Sequence, residues 1–415
     1  MSLLRRLWDQ RERRPVFVWV TLLTAGVFLV YPFVDYWLRS AGVASEFLFR
    51  DYGAYDAAIE RWLNGEAIYQ RAEDGGFHGT YLYPPVVLFL FWPFATQLPF
   101  RTAAMCWMAL SVAVLWVGLQ ALVAALGYDL RWYERLGALW LMAGFHPLLL
   151  GVKLGQTVAL QTGLLCLAAA AMLGGDDWRG SASGVITGVV GVVKPAYAPV
   201  GAHLLRSPRR LKASVATGLV ALWVSIRAFG AETHRTYLDV LRWGIEKGGS
   251  ARPPGLWLPP YYKPLSWVPA ALAVRAVVCL AIIGLAVFSG PRARRSVFAL
   301  GVAAFPLLTP TTYAYYMAAL VPAFVLLLVE ELETEDGYPA IPVAALLLVG
   351  LHSYGLKFIV DVLPVVLPLF EVFRPLFPVL QPGLWGNAAF VGLAAVRVAQ
   401  HVDALEAVLP ERETA

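Results

Sequence analysis

Residues 16–38 read VFVWVTLLTAGVFLVYPFVDYWL, an apolar run in which Asp35 carries the only formal charge. A helix needs roughly 20 apolar residues to cross the hydrocarbon core of a bilayer, so this run is long enough to span it. Gly42-Val43-Ala44 offers small residues at the spacing of a signal-peptidase site. The apolar core of a cleaved signal peptide is much shorter, however, so the run predicts an uncleaved membrane anchor.

The composition of the whole chain agrees with a membrane protein. Of its 415 residues, 59% are hydrophobic and 15% are charged, whereas a soluble domain carries about a quarter charged residues. This excludes a soluble enzyme, a nucleic-acid-binding protein and a disordered scaffold, and the net charge of +5 follows from arginines between apolar runs. Cys106, Cys166 and Cys279 all fall in apolar stretches, which indicates buried thiols and no disulfide framework.

Further apolar runs follow along the chain. The clearest are 102–126, 181–204, 213–229, 267–289, 313–329 and 339–358. Shorter or proline-interrupted ones are 85–98, 136–152, 157–173, 296–308, 362–380 and 384–400. Together they predict an all-α polytopic membrane protein with about eleven to thirteen transmembrane helices. We expect a single integral membrane domain (1–415), divided into an anchor helix (1–38), an external catalytic loop (39–84), a helical core (85–229), a second external loop (230–266) and C-terminal helices (267–415).

The basic residues predict the orientation, because cytoplasmic loops of membrane proteins are enriched in Lys and Arg. Such clusters occur at 5–14, 206–212 and 292–295. Counting spans alternately places all three in the cytoplasm, with the N-terminus, and places both long polar loops outside the cell membrane. The same count puts the acidic stretch 330–336 in a solvated inner loop and Gln156 near the inner face.

The first external loop is predicted to contain an amphipathic helix from about 53 to 64. At helical spacing, Asp51, Tyr55 and Trp62 share one face. Two interpretations of Asp51 stay open: a cap of the helix N-terminus, or a carboxylate among aromatic side chains on a helix at the membrane surface. On the other face, Asp56 and Glu60 are predicted to be solvated.

Four other features interrupt the apolar pattern. Tyr83-Pro84-Pro85 suits either an anchor at the membrane interface or part of a substrate-binding site. Gly155-Gln156 separates two apolar runs, and Lys194-Pro195 lies inside another. A lysine deep in a span is costly, so Lys194 faces a cavity or an anionic partner, or else extends to the interface. The hydroxyl-rich stretch 309–316 either binds a sugar or forms a tight turn. The six histidines are scattered and predict no metal site.

Taken in order, these features resemble glycosyltransferase family 87, within the GT-C membrane glycosyltransferases. The matching positions are Asp51 with Tyr55, Ala57-Ala58, Gly65 to Tyr69, Tyr83-Pro84-Pro85, Gly155-Gln156, Lys194-Pro195 and, loosely, 309–315. The chain departs from the family pattern at Tyr315 and Tyr316, where the family often has histidine. Tyrosine can form hydrogen bonds, but it does not carry a positive charge near neutral pH as histidine can.

The resemblance implies an inverting α-1,2-mannosyltransferase whose donor is mannose on a polyprenyl phosphate. The acceptor would be a hydroxyl of a lipid-linked glycan or glycolipid, and Asp51 would be the general base. Substrate binding is assigned to Tyr55, Tyr69, Tyr83, Gln156, Lys194, Lys263, Tyr313 and Tyr315. The donor phosphate would meet Lys194, Lys263 or Arg252. We expect no metal and no other cofactor, because the external loops hold no Asp-x-Asp or Glu-x-Asp motif.

Two other functions fit parts of the pattern. A transporter or lipid flippase also has many helices, broken short spans and a lysine within the membrane. Such a protein is expected to show internal repeats and polar residues near the bilayer midplane, whereas the densest polar cluster here lies in a predicted external loop. A GT-C enzyme that moves a different sugar is the third possibility, since the identity of the sugar depends on a few side chains of the pocket.

Overall fold

The computed structural model describes residues 3–43, 48–73, 75–78, 81–175, 178–249, 260–265, 268, 270–310, 312–362 and 371–402. In chain order, its α-helices are α1 Leu3–Asp9, α2 Pro15–Ser40, α3 Arg50–Leu63, α4 Leu88–Gln97, α5 Phe100–Ala125, α6 Trp132–Gly144, α7 His146–Leu154, α8 Val158–Leu173, α9 Trp178–Val193, α10 Pro208–Gly249, α11 Ala271–Phe288, α12 Arg294–Leu308, α13 Val321–Glu333, α14 Ala340–Gly350, α15 Leu356–Val362 and α16 Pro382–Ala399. The 3₁₀ helices are Pro85–Val87, Pro195–Leu204, Pro291–Ala293, Ala314–Leu320, His352–Tyr354 and Glu371–Leu376. Strands β1 (Tyr261–Tyr262) and β2 (Thr312–Tyr313) pair antiparallel.

The all-α polytopic membrane fold is confirmed. Within the described residues, five helical segments are long and apolar enough to cross a bilayer: α2, α5, α10, α11 and the combined segment Ala314–Glu333. Helices α2 and α10 expose large apolar side chains such as Trp19 and Trp223, as expected where lipid replaces water. Shorter apolar helices such as α8 accompany them, and the count of eleven to thirteen spans stays a prediction.

All three cysteines are free. Cys166 is buried in α8, as expected, whereas Cys106 is exposed on the outer surface of α5. The expectation of a buried thiol is therefore wrong for Cys106 and holds only in part for Cys279, which is half-buried, because an apolar run does not say which side of a helix faces lipid.

Helix α3 confirms the amphipathic helix of the first loop, although it begins a turn earlier than expected. Its apolar side packs on α4 and α5 of the protein itself, with the rings of Tyr55 and Phe91 stacked at 4.0 Å. Phe49 occupies the N-cap position of α3, and no side chain forms a capping hydrogen bond there. The capping interpretation of Asp51 is therefore wrong, since Asp51 lies in the first turn with its carboxylate turned to other partners.

Helices α6 and α7 form a broken segment, bent by 73° at Phe145. Helix α7 then ends at Gly155, which has a left-handed φ of 73°. A side chain at this position would place its Cβ 2.7 Å from the Cβ of Tyr52, so only glycine fits. Gln156 contacts Asp51 of the first loop, so the expected position of Gln156 near the inner face and that of the loop outside cannot both hold, and the side of the membrane on which the two lie stays a prediction.

The predicted span 181–204 is two elements rather than one. Helix α9 ends at Val193, and Lys194 has extended backbone angles of φ −150° and ψ 102° before the 3₁₀ helix Pro195–Leu204. A residue that precedes proline is sterically disfavoured in the helical conformation. Lys194 therefore lies at a break between two helices, not inside a continuous one.

The second predicted external loop, 230–266, is helical in its first part. Helix α10 continues to Gly249, with a kink at Gly230, whose φ of 76° and ψ of 161° are not helical. The kink coincides with the boundary predicted at 229. Arg252, one of the expected phosphate ligands, lies outside the described residues.

The acidic stretch 330–336 is not wholly solvated, contrary to expectation. Glu331 is fully buried and accepts hydrogen bonds from Arg397 at 2.5 and 2.6 Å. It also accepts one from the backbone N–H of Tyr338 at 2.6 Å. This buried ion pair joins α13 to α16, and residues 66 positions apart in sequence are brought together by packing alone.

Candidate active site

The side-chain amide of Gln156 joins four of the predicted site residues. Its Oε1 accepts hydrogen bonds from the hydroxyls of Tyr55 at 3.1 Å and Tyr83 at 2.8 Å. Its Nε2 donates to the carboxylate of Asp51 and, at 3.5 Å, to the hydroxyl of Tyr315. Because a glutamine amide both accepts and donates, one side chain can connect phenols and a carboxylate. Three parts of the chain therefore converge on the Gly155-Gln156 turn: α3, the segment with Tyr83 and the 3₁₀ helix Ala314–Leu320.

The tyrosines of this cluster are kept as neutral donors. Burial raises the pKa of Tyr55 and, more moderately, that of Tyr83, because a phenolate would be poorly solvated there. Both hydroxyls thus retain their protons and donate to Gln156. The amide is left with its nitrogen facing Asp51.

The turn itself is held by two residues that sequence reasoning missed. Trp107 of α5 donates its indole N–H to the carbonyl of Gly155 at 3.1 Å. The hydroxyls of Thr157 and Tyr83 lie 3.3 Å apart. Thr157 is marked only by its place directly after Gly-Gln, and Trp107 lies in an apolar run with no signal at all.

Asp51 is partly buried, and burial raises the pKa of its carboxyl group. The hydrogen bond from Gln156 and the positive charges of Arg50 and Lys194 act in the opposite direction but do not cancel the effect. A carboxylate with a raised pKa is a stronger base than an exposed aspartate. Asp51 is thus suited to accept a proton from a hydroxyl group.

Lys194 supplies the positive charge of the site. Its Nζ lies 3.3 Å from the ring centre of Tyr316 and 5.2 Å from that of Tyr83, which is within the range of cation–π attraction. Among the described residues, no carboxylate lies within ion-pair distance of this ammonium group. The amino group of Lys194 therefore lies between aromatic faces and close to Asp51, a position that suits the binding of an anionic group.

Tyr313 and Lys263 form the next layer out. The ring of Tyr313 stacks on Tyr315 at 5.5 Å, and Tyr261 packs against Tyr313 at 5.3 Å. Lys263 is buried, and its Nζ lies 5.3 Å from the ring centre of Tyr261. The β1–β2 pair therefore connects Lys263 to the site through a row of rings, whereas Lys194 adjoins the rings around Asp51 directly.

Tyr69 lies on the opposite side of the cluster. Its hydroxyl donates to the backbone carbonyl of Tyr83 at 2.7 Å, and its ring packs against Tyr81 and Tyr237. An open groove of about 660 Å³ begins here, lined by Ala67, Tyr69, Gln70, Arg71, His78 and Thr236. Tyr69 thus positions Tyr83 and also faces the groove.

An ion pair joins the predicted anchor helix α2 to α7, next to the site. Lys153 donates to both carboxylate oxygens of Asp35 at 2.6 and 2.7 Å. The carbonyl of Lys153 accepts a hydrogen bond from the N–H of Phe49, the residue that caps α3. The pair fixes both the turn before Gln156 and the start of the helix that carries Asp51. Sequence reasoning assigned no role to either residue.

The cluster therefore offers a carboxylate, an ammonium group and several aromatic faces. Such groups can accept a proton, neutralise a phosphate and stack on a sugar ring. No group of three or more His, Cys, Asp or Glu residues suited to a metal ion occurs in the part of the chain that the structure describes.

Comparison with known proteins assigns the family. The model of Glycosyltransferase family 87 matches residues 81–311, more than half of the chain. No curated protein and no solved structure gave a match. The matched segment contains Tyr83, Gln156 and Lys194, while Asp51 precedes it. The match confirms the resemblance seen in the sequence and indicates glycosyl transfer in a membrane rather than transport without chemistry. The chain belongs to glycosyltransferase family 87.

Proposed function

We propose that this membrane glycosyltransferase moves mannose from a polyprenyl phosphate to a hydroxyl of a lipid-linked glycan or glycolipid at the external face. The observation that carries the proposal is the carboxylate of Asp51, hydrogen-bonded to Gln156 and next to the aromatic faces that hold Lys194. A base and a phosphate-binding cation are the two charged groups that this transfer needs.

In the proposed step, the acceptor oxygen attacks the anomeric carbon of the donor sugar. A new glycosidic C–O bond forms while the bond from the anomeric carbon to the phosphate oxygen breaks. The electron pair of the broken bond leaves with the polyprenyl phosphate, and the proton of the acceptor hydroxyl passes to Asp51. The transition state is oxocarbenium-like, and a single displacement inverts the anomeric carbon.

We assign the leaving phosphate to Lys194 rather than to Lys263. Charge-assisted contacts to developing negative charge are among the strongest that a site can offer. Lys194 contacts the ring of Tyr83, whose hydroxyl binds Gln156, while Lys263 lies one layer further out against Tyr261. The polyprenyl tail would then lie among the apolar helices.

We assign the acceptor to the open groove beside Tyr69. The groove is open, and the side chains of Gln70, Arg71 and His78 that line it come from the predicted first loop and can form hydrogen bonds with a glycan. Tyr69 links it to the cluster through Tyr83. In this scheme the reaction needs no divalent metal, because the lipid phosphate meets Lys194.

The proposal is tested by incubating membranes that contain the protein with radiolabelled polyprenyl-phosphate mannose and a lipid extract. We expect Asp51→Asn to lower the rate by roughly 10²–10⁴, the usual contribution of a general base. Asp56→Asn is the matched control, since it makes the same change on the same helix outside the cluster, and we expect it to retain wild-type activity.

Three results would contradict parts of the proposal. Full activity of Asp51→Asn excludes Asp51 as the base. If a polyprenyl-phosphate donor with another sugar gives labelled product and the mannose donor gives none, the donor sugar is not mannose, while the proposed mechanism still holds. No product from any polyprenyl-phosphate sugar excludes this donor class.

A further inference from the structure

A second polar cavity lies away from the Asp51 cluster, between the starts of α10 and α12. It has a volume of about 140 Å³ and is lined by His203, Arg206, Ser207, Arg210, Gly290, Pro291, Arg294 and Val297. One water occupies about 30 Å³ in the liquid, so the cavity has room for several waters or for one phosphate group. None of these residues takes part in the proposed transfer.

The lining is positively charged. Arg206 donates to the carbonyl of Val287 and to the hydroxyl of Ser289 at 3.4 and 3.5 Å. Arg294 donates to the carbonyl of Met172 at 3.3 Å. Within the described ranges, neither arginine forms an ion pair with a carboxylate, and the lining contains no Asp or Glu. Neutral carbonyls do not cancel the charge of a guanidinium group, so the cavity is left cationic.

The backbone and His203 add hydrogen-bond donors to the same space. The first N–H groups of a helix have no partner within the helix and carry partial positive charge, and the cavity touches the first turns of both α10 and α12. His203 is only 2% exposed, its Nε2 lies 3.3 Å from the hydroxyl of Thr187, and its Nδ1 has no hydrogen-bond partner among the described residues. A buried polar atom without a partner is rare in folded proteins and points to a ligand.

We propose that this cavity binds a phosphate group, either as free phosphate or as the headgroup of a phospholipid. Several arginines combined with helix N-termini form a common oxyanion-binding arrangement in proteins. The site is separate from the Asp51 cluster, because Lys194 and His203 lie at opposite ends of the 3₁₀ helix Pro195–Leu204, roughly 18 Å apart at the usual rise of 2.0 Å per residue. In the proposed topology the cavity opens to the cytoplasmic side.

Two measurements on the purified full-length protein test the site and distinguish the two sources. Titration calorimetry with inorganic phosphate measures free-phosphate binding. Native mass spectrometry after extraction from vesicles of phosphatidylglycerol and phosphatidylcholine measures retained lipid, since both lipids carry a phosphodiester but only the former has net negative charge.

Arg206→Gln and Arg294→Gln remove charges from the lining, while Lys212→Gln and Arg292→Gln remove charges from exposed positions in the same two segments. We expect each lining variant to weaken phosphate or lipid binding by about tenfold or more. The control variants should stay within about twofold of the wild type. Because Arg206 is exposed, we expect Arg206→Gln to fold, so this variant still tests the site if Arg294→Gln unfolds the protein.

Binding of inorganic phosphate that the lining variants weaken identifies a site for a soluble phosphate compound. Retained lipid that the lining variants lose identifies a headgroup site. The proposal is overturned if the wild type binds neither, or if the control variants weaken binding as much as the lining variants do.

Discussion

At the residue scale, the position of one amide decides how the site is organised. Gln156 uses its oxygen for two phenols and its nitrogen for Asp51 and Tyr315. Leucine at this position would fill the same space but could make none of these bonds. The hydrogen bond to Asp51 stabilises its ionised form, and burial destabilises it. Gln156 is therefore a positioning residue that also tunes the base.

Gln156→Leu is expected to shift the pH profile of activity. Asp51 acts in its ionised form, so activity falls as the pH drops through its pKa. Loss of the Gln156 donor raises that pKa further, and the acid limb moves to higher pH by about 1–2 units, the equivalent of a hydrogen bond to a charged group. The measurement is kcat/KM against pH, with Gln97→Leu at an exposed position as control. An acid limb that does not move contradicts the role.

Lys194→Gln is expected to act on donor binding. Removing the ammonium group leaves the donor phosphate without its charge partner, so the KM for the polyprenyl-phosphate sugar should rise by about tenfold or more, and kcat should fall as well. Lys194→Arg keeps the charge and should recover part of the loss. Steady-state kinetics at varied donor concentration distinguish this from a structural defect. A larger effect from Lys263→Gln would transfer the role to Lys263.

At the element scale, breaks between helices place the functional groups. Gln156 follows the left-handed end of α7, and Lys194 precedes the proline that ends α9. Side chains at the ends of helices can meet in one cavity inside the protein, whereas a continuous helix would fill that space with its own backbone. The elements are then held by ion pairs, of which Asp35–Lys153 connects α2 to α7 at side-chain exposures of only 8% and 16%.

Asp35→Asn is expected to destabilise the protein. The substitution leaves the ammonium group of Lys153 buried without its counter-charge, which costs about 3–5 kcal/mol for a buried pair. Thermal unfolding in detergent should show a clearly lowered midpoint. Asp129→Asn is the matched control, because Asp129 pairs with Arg135 at the surface with 98% of its side chain exposed, and the midpoint should hardly change. Equal midpoints for both variants would show that the buried pair is not important for stability.

At the scale of the whole molecule, charge is separated between two ends. Asp51 and Lys194 belong to the site at one end of the Pro195–Leu204 helix, and the arginine-lined cavity lies at the other. Basic clusters favour the cytoplasmic side of a membrane. The proposed orientation therefore has the transfer outside and the basic cavity inside.

Cysteine labelling tests this orientation. In a background without the exposed Cys106, Glu66→Cys should react with a membrane-impermeant maleimide in intact cells. Lys212→Cys should react only after permeabilisation. Both positions are exposed in the structure, so access depends on the side of the membrane. The reverse pattern would overturn the orientation and place the proposed transfer in the cytoplasm.

Much of the architecture is predictable because hydrophobicity and spacing are local properties. The apolar run 16–38 predicts α2, and the periodicity after Asp51 predicts α3. The order of short motifs predicts the family. In contrast, an alternating count does not anticipate the 73° bend between α6 and α7, since a count assumes that each apolar run is one straight crossing.

Composition, periodicity and motif order predict the membrane class, most of the helices and the candidates Asp51, Gln156 and Lys194, because these properties do not depend on distant contacts. The packing of the helices is what brings Gln156 to Asp51, 105 positions away, and Glu331 to Arg397. The packing also shows that Lys194 lies against Tyr83 and Tyr316, whereas Lys263 lies further out against Tyr261. Contacts of this kind arise when bent and broken helices pack together, and no local pattern carries that information.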